Sequence, residues 1–134
     1  MGLLAGKRPS KLGIADGKLQ PLRDRTLNSV SSYAQNSYSK IAPLATSGDP
    51  AQAFKQLKNI VASSKGAKVI SQDEHYLYAE YATPTLGFVD DVEFLLDSKA
   101  QVIHLRSASR LGVRDFGVNR TRIESLRAKL STAT

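Results

Sequence analysis

The spacing of apolar residues changes character along this chain, and the changes mark its elements. After Asp49, the residues Ala53, Phe54, Leu57, Ile60 and Val61 recur at helical spacing, with Lys55, Lys58 and Lys65 off the stripe. Asp49 is a good N-cap, Pro50 gives up only an amide that has no partner there, and Gly66 supplies a stop. The period then drops to two. Residues 68–71 read as a short strand and 72–74 as a turn. Over 75–83, Leu77, Ala79 and Tyr81 alternate with Tyr76, Tyr78 and Glu80. Two more strands follow, on either side of a turn at Asp97-Ser98-Lys99-Ala100. Helical spacing returns near the end with Ile123, Leu126 and Leu130, where Asn119 or Asp115 can cap and Arg120, Glu124 and Arg127 share one side.

The pattern also suggests a register for the third and fourth strands. An even loop at Asp97–Ala100 sets Val92 opposite Leu105 and Phe94 opposite Ile103 on one face. On the other face it sets Asp91 opposite Arg106 and Glu93 opposite His104. Asp90 then shares the face of Phe88, Val92 and Phe94, opposite Ser107. A carboxylate among apolar neighbours needs partners, because burying it unpaired costs several kcal/mol. The candidates are Ser107, Ser109 and Arg110.

Residues 1–48 show no sustained period. Pro9, Gly13, Gly17, Pro21 and Pro43 punctuate them, with apolar pairs between, and they read as an irregular strap laid over the domain. The hydroxyls of Asn28-Ser29-Val30-Ser31-Ser32-Tyr33 either bond backbone in a tight crossing or line a pocket. Residues 1–10 are expected to be a basic flexible leader, and residues 11–134 a single domain. The fold class expected is α+β: about four antiparallel strands with a helix on the N-terminal side and a C-terminal helix packed on the sheet.

Charge changes this picture in one respect. The net charge is +7, and residues 1–65 hold ten Lys or Arg against three Asp, whereas 66–134 hold nine against nine. The basic excess therefore lies in the first half, and the arginine-rich second half is internally balanced. Aromatics are not interleaved with the cations as a base-stacking platform requires, so no nucleic-acid partner is expected. No apolar run approaches the ~18 residues of a membrane span. With no signal peptide visible, a soluble protein, cytoplasmic by default, is the expectation. Cysteine is absent, and His75 and His104 lack zinc-ligand spacing, so neither a metal nor a cofactor is expected. There is no nucleophile elbow, phosphate-binding loop or dinucleotide glycine pattern.

The unusual chemistry is concentrated between Gly87 and Arg127. Arg106, Arg110, Arg114 and Arg120 could gather on an anion, or pair with Asp90, Asp91, Glu93 and Asp115. Three segments here are Phe88-Val89-Asp90-Asp91-Val92-Glu93, His104-Leu105-Arg106-Ser107-Ala108-Ser109-Arg110-Leu111-Gly112 and Asp115-Phe116-Gly117-Val118-Asn119-Arg120. Together they closely resemble the bacterial and plastid Domain of Unknown Function 1499 family, with weaker extensions at Leu12-Gly13-Ile14 and Asn28–Ser32. Members often carry Cys at the place of Ser29 and again near Leu22/Arg23, so the resemblance brings no thiol or disulfide chemistry here. It implies no established activity. The expectation is a non-enzymatic binding or scaffold module, whose Asp/Arg/Ser network shapes a site for a small anion or peptide. The alternative is a hydrolase or lyase using Asp90, Asp91 or Glu93.

Overall fold

The computed structural model describes residues 5–23, 26–84 and 86–133. In chain order the elements are β1 (Ile14–Ala15), β2 (Lys18–Leu19), β3 (Ser29–Ser31), β4 (Leu44–Ala45), α1 (Pro50–Ala62), β5 (Ala67–Gln72), β6 (Tyr76–Ala82), β7 (Val89–Asp97), β8 (Val102–Ser109) and α2 (Val118–Thr132). The helix stripe works as its spacing requires: Ala53, Phe54, Leu57 and Val61 are buried, and the Asp49 carboxylate accepts the Ala51 amide. Gly66, four residues past the end of α1, sits at φ +81°, and a Cβ there would lie 2.5 Å from the carbonyl oxygen of Ala82. Only glycine permits both that angle and that approach.

The main sheet is antiparallel and ordered β3-β8-β7-β6-β5, with β4 pairing the same edge of β8 as β3. The α+β class holds, with six strands rather than about four. The two extra strands, β3 and β4, are three and two residues long, too short to show a period. A separate two-stranded hairpin, β1-β2, lies in the N-terminal strap.

The β7–β8 register is offset by two residues from the one expected. Glu93 lies opposite Arg106, Asp91 opposite Ala108, Asp90 opposite Ser109 and Phe94 opposite Leu105, and Asp97–Val102 is the last pair. The connecting loop has four residues, as an even loop requires, but it starts at Ser98 instead of Asp97. The Asp97 carboxylate accepts the Ala100 amide at 3.0 Å, which keeps Asp97 in the ladder, and Gln101 takes the left-handed turn position at φ +57°. An offset of two leaves every side chain on its expected face and changes only its neighbour.

Those faces divide the molecule. On the inner face Val30, Leu77, Ala79, Val92, Phe94, Ile103 and Leu105 pack with α1 and with Ile123, Leu126 and Leu130 of α2. On the outer face a smaller cluster of Tyr76, Tyr78 and Leu95 is covered by Leu19 and Leu12 of the strap. Residues 5–10 were expected within a solvated leader, but they lie against the domain: Ala5 is buried and Arg8 bonds Glu80 of β6. Residues 1–4 of that leader lie outside the described residues.

Candidate functional site

The alternation of β6, β7 and β8 delivers two polar groups, one on each face. On the inner face, Asp90 lies opposite Ser109, but among the described residues its side chain bonds none of Ser107, Ser109 and Arg110. Its partner is Arg122 of α2, whose Nη2 donates to it at 2.6 Å. Arg110 cannot reach Asp90 because it continues the outward alternation of Arg106 and Ala108. The Arg122 Nη1 also donates to the Asn119 side-chain oxygen at 2.8 Å and to the Ser107 hydroxyl at 3.2 Å, while Ser107 donates to Asn119 at 2.6 Å. The Asn119 amide group in turn donates to the Asn28 carbonyl, the Ser109 hydroxyl and Asp115. Of the two capping candidates, Asp115 accepts the backbone amides of Asn119 and Gly117, together with the Tyr38 hydroxyl. Burial opposes the Asp115 charge, but these donors outweigh it and hold its pKa below the ordinary carboxylate value. This group joins α2, β3, β7 and β8, and every one of its carboxylates is answered.

The outer group is a row of three acids and three arginines. Arg110 forms a fork on Asp91, with Nε to one oxygen and Nη2 to the other at 2.8 Å each, and its Nη2 also reaches Glu80 at 2.5 Å. Asp91 therefore pairs with Arg110 rather than with Arg106, a direct result of the register offset. Tyr78 donates to both Asp91 and Glu80, and Arg8 from the strap donates to Glu80 at 2.7 Å. Glu93, fully buried, accepts from the Tyr76 hydroxyl at 2.5 Å, the Gly13 amide at 2.7 Å and Arg106 Nη1 at 3.4 Å. Burial disfavours the Glu80 charge, but hydrogen bonds from Arg8, Tyr78 and Arg110 overcome it and pull its pKa down to about 2. Burial, reinforced by the adjacent carboxylates, pushes the Tyr76 and Tyr78 hydroxyls well above their ordinary value, so both remain donors.

The four loop arginines do not converge. Arg120 donates to the carbonyls of Tyr38 and Lys40. Arg114 is exposed and has no ion pair or side-chain hydrogen bond among the described residues. Arg110 is consumed by Asp91 and Glu80. Arg106 is the exception. It is 6% exposed, and among the described residues its guanidinium makes one hydrogen bond, the long one to Glu93, while its enclosed Nε has no partner. It lies in the floor of a cleft of about 410 Å³, beside Ser29 of β3. Lys7, Lys11 and Arg23 from the two arms of the strap contribute to the cleft walls. The hydroxyls of 29–33 divide between the two roles open to them: Ser31 and Ser32 accept the backbone amides of Tyr33 and Leu105, and Ser29 lines the cleft.

Several members of these groups escape a sequence reading. Arg122 is three residues past Asn119 on the helix face that carries Leu126, a spacing that marks it as a partner for an inward carboxylate. Tyr76, Tyr78 and Glu80 carry the signal of strict alternation on β6. Arg8 carries none. Among the described residues no group of His, Cys, Asp and Glu is arranged to hold a metal ion, and no helix is long and apolar enough to cross a membrane.

Fold and site together define a small α+β domain with one sheet face under helices and the other under a strap, tied down by a buried carboxylate–arginine row. The chain belongs to the family described as "Protein of unknown function (DUF1499)", whose model matches residues 21–130. No curated protein and no solved structure matches it. The cleft floor, Ser29 and Arg106, lies within the matched span, and the wall residues Lys7 and Lys11 precede it.

Proposed function

We propose that the protein is a binding module that takes a small anionic ligand, a carboxylate or a phosphate, in the cleft between strap and sheet. The observation that carries this reading is Arg106: a guanidinium in the lining of the cleft whose one hydrogen bond among the described residues is the long one to Glu93. A carboxylate or phosphate oxygen that reaches this guanidinium gains a charge-assisted hydrogen bond that the protein itself does not fully supply. Charge accounting supports the same reading. Arg8, Arg106 and Arg110 are balanced within the outer row by Glu80, Asp91 and Glu93. Lys7, Lys11 and Arg23 on the cleft walls have no ion pair among the described residues and add positive charge where a ligand would enter.

A hydrolase or lyase needs a carboxylate free to move a proton or attack. Asp90 and Asp91 are each held by an arginine, and Glu93 by Tyr76, Gly13 and Arg106, which favours binding over chemistry. The test is a thermal-shift titration with phosphate and with small di- and tricarboxylates. The wild type is expected to show a saturable rise in Tm for at least one anion, by mass action. Lys11→Gln with Arg23→Gln should weaken that rise and leave the unliganded Tm nearly unchanged. No saturable shift with any of these anions would reject the reading.

A further inference from the structure

The exposed large apolar side chains among the described residues are Ile14, Leu86, Phe88, Leu111, Val113, Phe116 and Val118. All but Ile14 belong to one end of the sheet: the turn before β7, the β8–α2 link and, with Val118, the first residue of α2. Phe88, Leu111 and Val118 share a groove of about 270 Å³ with Arg114, so the two connections form one surface. Between Leu111 and Val118 along the chain, Phe116 is 87% exposed and Val113 69% exposed. Phe116 is held at φ +54°, a left-handed position that a bulky residue seldom takes. An apolar patch presented this way marks an interaction surface rather than a core.

Charge indicates what covers it. The two acids that line the groove are both answered from within the domain, Asp90 by Arg122 and Asp115 by Tyr38 and Asn119. Arg114 is exposed and unpaired among the described residues. A second copy of the chain is a poor occupant, because two patches that each carry an unpaired Arg114, on molecules of net charge +7, repel. A protein partner would need a pocket shaped to a protruding ring. A bilayer accepts protruding apolar side chains without shape complementarity, and anionic headgroups answer Arg114 beside them.

We propose that this end of the molecule docks on an anionic lipid surface, with Phe116 and Val113 entering the acyl boundary and Arg114 meeting the headgroups. The proposal is independent of the anion cleft, since none of these three residues lines it. It is tested by co-sedimentation with phosphatidylcholine vesicles and with mixed phosphatidylcholine–phosphatidylglycerol vesicles. The proteins compared are the wild type, a Val113→Ser/Phe116→Asn double variant and Arg106→Gln, each checked for an unchanged folded spectrum. Asn tolerates the left-handed position, so the double variant removes the apolar contact without adding strain. The expected result is wild-type binding to mixed vesicles and little to pure phosphatidylcholine, at least a tenfold loss in the double variant, and full binding by Arg106→Gln if that variant folds. Lys11→Gln with Arg23→Gln serves as the second cleft control and should also bind fully. Failure of the wild type to bind mixed vesicles would overturn the proposal. So would binding that the double variant retains and added salt abolishes, which is charge attraction alone. Self-association of the wild type without vesicles, lost in the double variant, would assign the patch to a second copy instead.

Discussion

At the residue scale, Arg110 and Glu80 carry the outer row. Arg110 answers two carboxylates that are nearly inaccessible to solvent, and its own charge is reinforced chiefly by Asp91. Replacing it with Gln leaves Asp91 and part of Glu80 buried without a countercharge, and the expected loss is about 3–5 kcal/mol in urea unfolding. Asp91→Asn in the same background should recover part of that loss, because the uncompensated charge is then gone. The Glu80 carboxyl, held at about 2 against an ordinary 4.5, makes a pH prediction. A depressed folded pKa stabilises the fold in the charged form. That contribution is complete above about pH 4.5 and is lost as pH falls toward 2. The stability difference between wild type and Glu80→Gln should therefore be constant near neutrality and shrink across that window. A difference that stays flat to pH 2 would contradict the assignment.

At the element scale, the strap is the part of the chain whose role a local reading misjudges. Lys7, Arg8 and Pro9 offer little to bury by themselves, which is why a solvated leader is the natural expectation. Their function depends on Glu80, a buried acid some seventy residues away that needs Arg8, and no local pattern records that pairing. Deleting residues 1–10 removes Arg8 and the buried Ala5, so Tm should fall by several degrees for this small domain. An unchanged Tm would return the segment to the status of a tail. By contrast α1, β5 to β8 and α2 could be read from period, caps and turn residues, because their stabilisation is amphipathic and periodic. The strands β3 and β4 lack that signature, since each is recruited by the free edge of β8. The register offset has a similar cause: alternation determines which face a residue occupies, and the turn determines its partner. Asp97, used as a side-chain cap within the ladder, moved the turn by one residue and each pairing by two.

At the scale of the whole molecule, the two faces of one sheet serve different ends. The inner polar group locks helix α2 to β3, β7 and β8, and contains Asp90, Ser107, Ser109, Asp115 and Asn119 with all their carboxylates satisfied. The outer group contains Asp91, Glu93, Arg106 and Arg110 beneath a strap that carries most of the basic excess of the first half of the chain. Sequence placed these residues in one stretch and could not tell that they divide between faces, with Arg114 and Arg120 belonging to neither row. It also could not single out Arg106, because its distinction is a missing partner, and that depends on Arg110 having taken Asp91. If the cleft takes an anion, the Arg106 guanidinium, left with one long hydrogen bond to Glu93, is the group that meets it. The arginine Nε–H resonances of labelled protein, assigned with Arg106→Lys, report on this by NMR during titration with phosphate and small polycarboxylates. The expected result is a saturable shift of the Arg106 signal, with the Arg110 signal, already bound to Asp91, moving far less. An Arg106 signal that stays fixed throughout the titration of a folded protein would contradict it.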